Sequence, residues 1–214
     1  MAPEELLKQG LTELNISCSE RQVRTFLTYL SELKKWNRAY NLTGLKTDDD
    51  IIIKHFLDSL LYIRALPPSP LHLADIGTGA GFPGLPVKIM LPDIELTLIE
   101  SSRKKASFLR NIVRTLALKR VTVMEDRIEH LGSEFAQHFD TIVSRATFSI
   151  REFLSVACPY VKSGGTLILN KGPKVQNELK DLEKYPAMKR CVREIIHCTL
   201  PVRKTERSLV VLVC

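Results

Sequence analysis

No apolar run in this chain approaches the ~20 residues a helix needs to cross a bilayer, which excludes a membrane-spanning helix. The first ten residues, MAPEELLKQG, lack the apolar stretch of a signal peptide. The five cysteines (Cys18, Cys158, Cys191, Cys198, Cys214) are scattered, odd in number and form no C-x-x-C. That argues against a disulfide framework, and reduced thiols in a cytoplasmic protein are expected. Cys191, His197 and Cys198 lie close together but have no second ligand pair, so no metal is expected. No internal repeat or low-complexity segment occurs, which excludes solenoids.

The 214 residues suit one large domain, or a domain with a substantial extension. A globule of this size buries about 70% of its unfolded surface and needs no staples. The chain is 44% hydrophobic and 26% charged, as ordinary soluble proteins are. Its 31 Lys+Arg against 24 Asp+Glu give a net charge of +7, an excess that favours a polyanionic partner without proving one.

The first 65 residues read as helical. Ser19 followed by Gln22 resembles a capping box. Val23, Phe26, Leu27, Leu30 and Leu33 then recur at helical spacing, with an end near Trp36. The Asn-rich stretch 36–45 reads as a loop. A further helix starts at Asp48–Asp50, whose charges suit a helix N-terminus, and stops at Pro67. PPSP (67–70) is the linker candidate, dividing a helical extension (1–66) from a second unit (67–214).

Beyond it strands alternate with helices. Strands are expected at 71–77, 94–100, 121–125, 139–145, 164–172, 192–199 and 208–213, with helices at 101–118, near 149–160 and near 173–184. Pro83 and Pro86 permit a helix after the first strand only in its first turn. The fold class is therefore α/β, a mostly parallel seven-stranded sheet with helices on both faces. Ligands in such sheets bind beyond the carboxyl ends of the strands.

The turn after the first strand reads ADIGTGAGFPG (74–84), with Gly79, Gly81 and Gly84 at G-x-G-x-x-G spacing, Gly77 before them and Asp75 ahead. A dinucleotide is one reading, since Glu100 ends the second strand nineteen residues after Gly81, where a ribose-binding acid belongs. Such a chain would be an NAD-dependent oxidoreductase. Two features oppose it. A pyrophosphate sits on backbone N–H groups at a helix N-terminus, and the carboxylate of Asp75 would repel it. No second region that would hold a substrate and an acid/base follows. S-adenosylmethionine meets both objections. It carries an ammonium, a carboxylate and a sulfonium but no phosphate, so an acid beside the loop attracts it. Glycines let the backbone approach its amino-acid part, Glu100 can take the ribose hydroxyls, and EDRIE (125–129) falls where the adenine would lie.

Several motifs occur in order: WNRAYNLT (36–43), HFLDS (55–59), DIGTGAGFPGLP (75–86), DRIE (126–129), SRA (144–146), LNKG (169–172), and ER before the hydrophobic run at 206–213. In these the chain resembles the RsmG (GidB) family of bacterial small-subunit rRNA methyltransferases, over nearly its whole length. The resemblance implies the class I (Rossmann-like) methyltransferase fold. It also implies methyl transfer from S-adenosylmethionine to guanine N7 at position 527 of 16S rRNA, with the RNA or the small ribosomal subunit as partner. It assigns Gly77 and Phe82 to the cofactor loop, Ile128 and Glu129 to the adenine, Arg145 to the cofactor and Glu100 to the strand-two acid. Asp75 and Gly79 complete the expected cofactor set.

Guanine N7 has an in-plane lone pair and no proton to lose. No general base is required, and no residue is assigned a catalytic role. After the fourth strand stand Arg145 and Phe148, not the Asn/Asp-Pro-Pro-aromatic run of exocyclic-amino methylases. Cys158 falls inside an expected helix as a small buried residue rather than a nucleophile. For substrate, Arg145 and Lys171 follow strands at the proper end of the sheet and could read guanine O6 and N7. Arg103, Arg110 and Arg114 repeat on one helix face, where they could meet phosphates or only solvent. Arg203, Lys204 and Arg207 form a second basic cluster. His55 and Asp58, at i and i+3, face the same way and could pair near the cofactor. Asn37 and Asn41 shape their loop. A monomer is expected. The competing readings are the oxidoreductase, a small-molecule methyltransferase and an RNA-binding protein without activity.

Overall fold

The computed structural model describes residues 1–68, 71–145, 148–173 and 175–214. The second half of the PPSP stretch and Ala146 of the SRA motif therefore lie outside the described residues.

The chain starts with α1 (Pro3–Glu13) and α2 (Glu20–Tyr40). Ser19 and Gln22 form the reciprocal capping box expected of them, Ser19 Oγ accepting from the Gln22 N–H. The helix runs past Trp36 to Tyr40, a full turn beyond the sequence expectation. The reason is that Asn41, not Asn37, takes the left-handed conformation that ends it (φ 50°). Asn37 instead stays helical and accepts the Thr43 N–H through its side chain at 2.9 Å. Trp36 packs edge-on against Phe108, with ring centroids 5.6 Å apart, which ties that last turn to the body of the fold.

The next helical run is composite. α3 (Asp48–Ile51) is capped by Thr47, a π-helical turn covers Ile52–Leu57, α4 spans Asp58–Leu60 and a 3-10 turn covers Leu61–Arg64. Ile52, Ile53, Phe56 and Leu57 are buried along one side of it.

The remaining elements are β1 (His72–Ile76), α5 (Gly84–Met90), β2 (Glu95–Ile99), α6 (Arg103–Thr115), β3 (Val121–Met124), β4 (Phe139–Arg145), α7 (Ile150–Ala157), β5 (Val161–Lys171), α8 (Val175–Asp181), α9 (Pro186–Arg190), β6 (Val192–Leu200) and β7 (Thr205–Val213). They form one seven-stranded sheet in the order β3-β2-β1-β4-β5-β7-β6. The β1, β2, β3, β4 and β5 pairings are parallel, and β7 enters antiparallel between β5 and β6. This is the α/β sheet of the class I methyltransferase fold. The strand order reverses at β1 and β4, and their carboxyl ends form the crevice at which such sheets hold ligands.

Alternation along the strands divides the core in two. Leu73, Leu98, Val143, Ile168 and Leu209 face the cluster that contains the apolar sides of α1, α2, the composite helix and α6. Ala74, Ile76, Ile142, Leu167 and Leu169 face the cluster built around α7. The helical extension thus shares one continuous core with the sheet.

One cysteine expectation is overturned. Cys158 and Cys214 form a disulfide, so Cys158 is neither a reduced thiol nor an isolated buried side chain. Cys158 sits at the end of α7, just before β5, and Cys214 just after β7. Because β5 and β7 are antiparallel, the start of one and the end of the other lie at the same edge of the sheet, which brings the two residues together.

Candidate active site

The loop after β1 is organised by two acids. Asp75 is fully buried; its Oδ2 accepts from Thr78 Oγ1 at 2.6 Å and from the Gly84 N–H at 2.7 Å. Glu100, just past β2, accepts the Gly79 N–H at 2.9 Å through Oε2 and the Ser102 N–H at 2.8 Å through Oε1. The loop itself needs glycine: φ is positive at Gly77 (64°), Gly79 (62°) and Gly81 (100°). A Cβ at Gly81 would lie 2.4 Å from Leu85 and 2.6 Å from the Tyr29 hydroxyl, whereas at Gly79 it would meet open space. The Tyr29 hydroxyl, fully buried on α2, donates to the Ala80 carbonyl and so anchors the loop to the extension.

Asp75 Oδ1 has no hydrogen-bond partner. Burial raises this carboxyl from 3.8 to about 7, against the opposing pull of Thr78 and Gly84. A buried carboxylate oxygen left open beside a glycine loop fits a ligand that carries a cation and repels a pyrophosphate. The donor set therefore suits S-adenosylmethionine better than a dinucleotide.

A second cluster lies one strand away. Arg145, at the carboxyl end of β4, donates from Nη1 to the Lys54 carbonyl at 2.8 Å and to Asp58 Oδ2 at 3.3 Å. Its Nη2 lies 2.8 Å from His55 Nδ1. A guanidinium can only donate, so His55 Nδ1 accepts and Nε2 carries the proton, which it gives to Thr43 Oγ1 at 2.7 Å. Burial, with the Arg145 charge beside it, pushes His55 from 6.5 down to about 3 and keeps the ring neutral. The other oxygen of Asp58 accepts from Arg207 Nε at 2.7 Å. One buried carboxylate on α4 thus holds an arginine from β4 and another from β7. His55 stacks on Phe82 at 4.3 Å, and the Arg145 guanidinium lies 5.2 Å from the same ring.

The glycine loop, Asp75 and Glu100 therefore form one group, and Phe82, Arg145, Arg207, His55 and Asp58 another beside it. His55 and Asp58 meet through Arg145 rather than directly. The remaining expected residues are placed apart. Ile128 is buried in a 3-10 turn after β3 and Glu129 beside it is exposed. Lys171 is directed to the opposite face of the sheet, where its Nζ donates to the Phe148 carbonyl and pairs with Glu178 at 3.0 Å. Arg103, Arg110 and Arg114 are exposed along α6, with Arg110 paired to Glu125 at 2.8 Å. Arg203 and Lys204 are paired with Asp50 and Glu13 of the extension, so they tie the β6–β7 turn down instead of forming an open basic cluster. Cys191, His197 and Cys198 do not converge: the described residues contain no group of three or more His, Cys, Asp or Glu able to hold a metal. No helix among them is long and apolar enough to cross a membrane.

Sequence reasoning did not find Tyr29, Thr78 or Tyr62. Tyr62 is fully buried; its hydroxyl donates to the Ser144 carbonyl at 2.5 Å and accepts the Asn170 N–H at 3.0 Å, bridging β4 and β5 at their carboxyl ends. Only the polar head of an otherwise apolar helical residue signals such a role, and that signal is indistinguishable from ordinary core packing.

Comparison with known proteins identifies the family. A family model described as rRNA small subunit methyltransferase G matches residues 22–210. The chain is 40% identical over 210 residues to ribosomal RNA small subunit methyltransferase G of Geobacter sp. (strain M21), covering 98% of this chain and 96% of that relative. It is 40% identical over 213 residues to the protein of the same name from Carboxydothermus hydrogenoformans, covering 97% and 90%. The solved structure of M. jannaschii TYW2 in complex with AdoMet superposes with a TM-score of 0.55 at 13% identity, covering 72% of this chain and 74% of that one, a likeness of fold alone. With a family match spanning most of its length and relatives aligned almost end to end, the chain belongs to the rRNA small subunit methyltransferase G family.

Proposed function

We propose that the protein transfers a methyl group from S-adenosylmethionine to N7 of a guanine in 16S rRNA, the one at position 527 that the family resemblance implies. It does so as a monomer in the cytoplasm, on the RNA or the small ribosomal subunit. The observation that carries this reading is the glycine loop held by Asp75 and Glu100, with one buried Asp75 oxygen unpaired, set one strand from Arg145, which shares Asp58 with Arg207.

When bound, S-adenosylmethionine supplies an electrophilic methyl group on a sulfonium. Asp75 would hold its ammonium, Glu100 its ribose, and Gly77, Gly79 and Phe82 the loop side. Ile128 and Glu129 would meet the adenine. Guanine N7 needs no base, so the protein's work is alignment, a contribution that in favourable cases reaches about 7–11 kcal/mol. Arg145 is suited to that work because its guanidinium is fixed by Lys54, His55, Asp58 and the Phe82 ring rather than free to swing. Neutral His55 matters here: a charged ring would repel Arg145 instead of accepting from it. A cleft of about 390 Å³ opens beside Arg207, lined also by Gly172, Gln176, His197 and Thr199. The exposed arginines of α6 add a sequence-independent attraction to phosphate that weakens with salt.

The test is methyl transfer from labelled S-adenosylmethionine to small-subunit rRNA lacking this modification, naked and in particles, with the product mapped by cleavage at N7-methylguanine. Label at one guanine of the 530-region loop is the expected result. Label on another RNA position overturns the site, and no label on either form of the RNA overturns the function.

A further inference from the structure

Among the described residues, four buried side-chain polar atoms have no hydrogen-bond partner: Asp75 Oδ1, Thr141 Oγ1, and both Oδ1 and Nδ2 of Asn170. An entire orphaned carboxamide is unusual, because buried polar groups in native proteins are nearly always paired. Asn170 is only 5% exposed, and it interrupts a strand that otherwise reads Leu167, Ile168, Leu169. A leucine has the same branching and no polar group to satisfy.

No hydrogen bond among the described residues reaches this carboxamide. Tyr62 has spent its proton on Ser144 and accepts the backbone N–H of Asn170, not its side chain. Asp58 has one oxygen on Arg145 and the other on Arg207.

The position is informative. Asn170 lies at the carboxyl end of β5, opposite Arg145 on β4 and Leu209 on β7. Alternation places it on the same face as Ile168, hence on the face shared by Arg145, Leu209 and Arg207. That is the edge at which a sheet of this kind receives ligands.

We propose that Asn170 is a specificity-determining residue whose carboxamide pairs with O6 and N1–H of the target guanine. The proposal rests on the reading of this site as a guanine-N7 methyltransferase. Guanine presents, in order from N7, the acceptor O6 and the donor N1–H. A carboxamide presents a donor and an acceptor at matching separation, so one Asn takes both. Arg145 and Arg207 only donate and cannot receive N1–H. An unpaired target base, as in a single-stranded loop, exposes this edge for such contacts.

The experiment compares wild type with Asn170→Leu and Asn170→Asp. It uses small-subunit rRNA bearing either guanine or 2-aminopurine at the target; the latter keeps N7 but lacks O6 and N1–H. Wild-type methylation of the guanine RNA tests the parent reading by itself. Given that activity, Asn170→Leu is expected to melt no lower than wild type and to bind S-adenosylmethionine within about twofold of it. Its kcat/KM on the guanine RNA should fall by about tenfold to a hundredfold. Its preference for guanine over 2-aminopurine should shrink by at least about fivefold, a change that a packing role would not produce. Asn170→Asp keeps the acceptor and loses the donor, and should lose activity on guanine as well. Activity of Asn170→Leu within about threefold of wild type, an unchanged guanine preference, or a loss of cofactor affinity would each overturn the proposal.

Discussion

Removal of the Asp58 charge is the sharpest test of the second cluster. Asp58 is 4% exposed, and its two oxygens serve Arg145 at 3.3 Å and Arg207 at 2.7 Å. At an effective dielectric of about 20, ion pairs at those separations correspond to roughly 5 and 6 kcal/mol of gross attraction. Most of that is offset by the desolvation of three charges. The net value of such a triad against an apolar substitute is small, but removing one partner leaves the others uncompensated, at a cost of about 3–5 kcal/mol. Asp58→Asn keeps the shape and removes the charge, so it isolates this effect. For a chain of this size 1 kcal/mol shifts the midpoint by about 2–4 °C, so a drop of roughly 10 °C is expected. The assay is thermal unfolding followed by circular dichroism, repeated for Arg207→Gln and for Asp58→Asn/Arg207→Gln. The double variant should be destabilised by clearly less than the sum of the singles. A drop below about 2 °C for Asp58→Asn, or strict additivity in the cycle, would refute the shared-carboxylate argument.

Four further outcomes are expected. Asp75→Asn and Glu100→Gln each weaken S-adenosylmethionine binding by about tenfold or more, measured by calorimetry, since a charged hydrogen bond contributes about 1.5–3 kcal/mol; unchanged affinity sinks the assignment of that acid. Because Asp75 is raised to about 7 in the folded protein, cofactor binding near neutral pH should release a proton, seen as a dependence of the binding heat on buffer ionisation; buffer-independent heats contradict it. His55 titrates at about 3 folded and 6.5 unfolded, so the unfolded chain binds more protons between those values and His55 makes stability fall as pH is lowered through that window. Asp75 acts oppositely, its contribution being full below 3.8 and lost as pH rises toward 7, so the test is His55→Gln: the slope of unfolding free energy between pH 6.5 and 4 should become less acid-sensitive than in wild type. Gly81→Ala should cost about 2–4 kcal/mol by denaturant unfolding, from a positive φ combined with a clash against Leu85 and Tyr29; a loss under about 1 kcal/mol would mean that the loop yields more easily than its packing implies.

What was legible in the sequence was whatever depends on local pattern. β4 occupies 139–145 as read from alternation and run length, and Ser19 caps α2 with Gln22 as their spacing required. The glycine loop followed from a strand, a turn and two prolines that fit only the start of α5. The end of α2 was misplaced because either Asn37 or Asn41 could stop the helix, and packing of Trp36 on Phe108 decided between them. Partners distant in sequence stayed hidden. Nothing local tells that Arg203 and Lys204 neutralise acids of the extension. The disulfide escaped for the same reason, since it depends on β7 running antiparallel to β5. The duty of Asp58 toward two arginines required knowing that β4 and β7 lie on either side of β5.

That last arrangement bears on how the protein matures. Arg145 reaches back 91 residues to Lys54, and Arg207 reaches back 149 residues to Asp58. Contacts so far apart in the chain form late, because the entropy of closing long loops must be lost before they are made. Strands β1, β2 and β3 can register among themselves well before β7 threads between β5 and β6. The cofactor loop is held by partners nearer in the chain, whereas the arginines beside it depend on closure of the whole sheet. Completion of the second cluster reports that the whole sheet has closed, and methyl transfer becomes a property of the finished molecule rather than of any folded fragment of it.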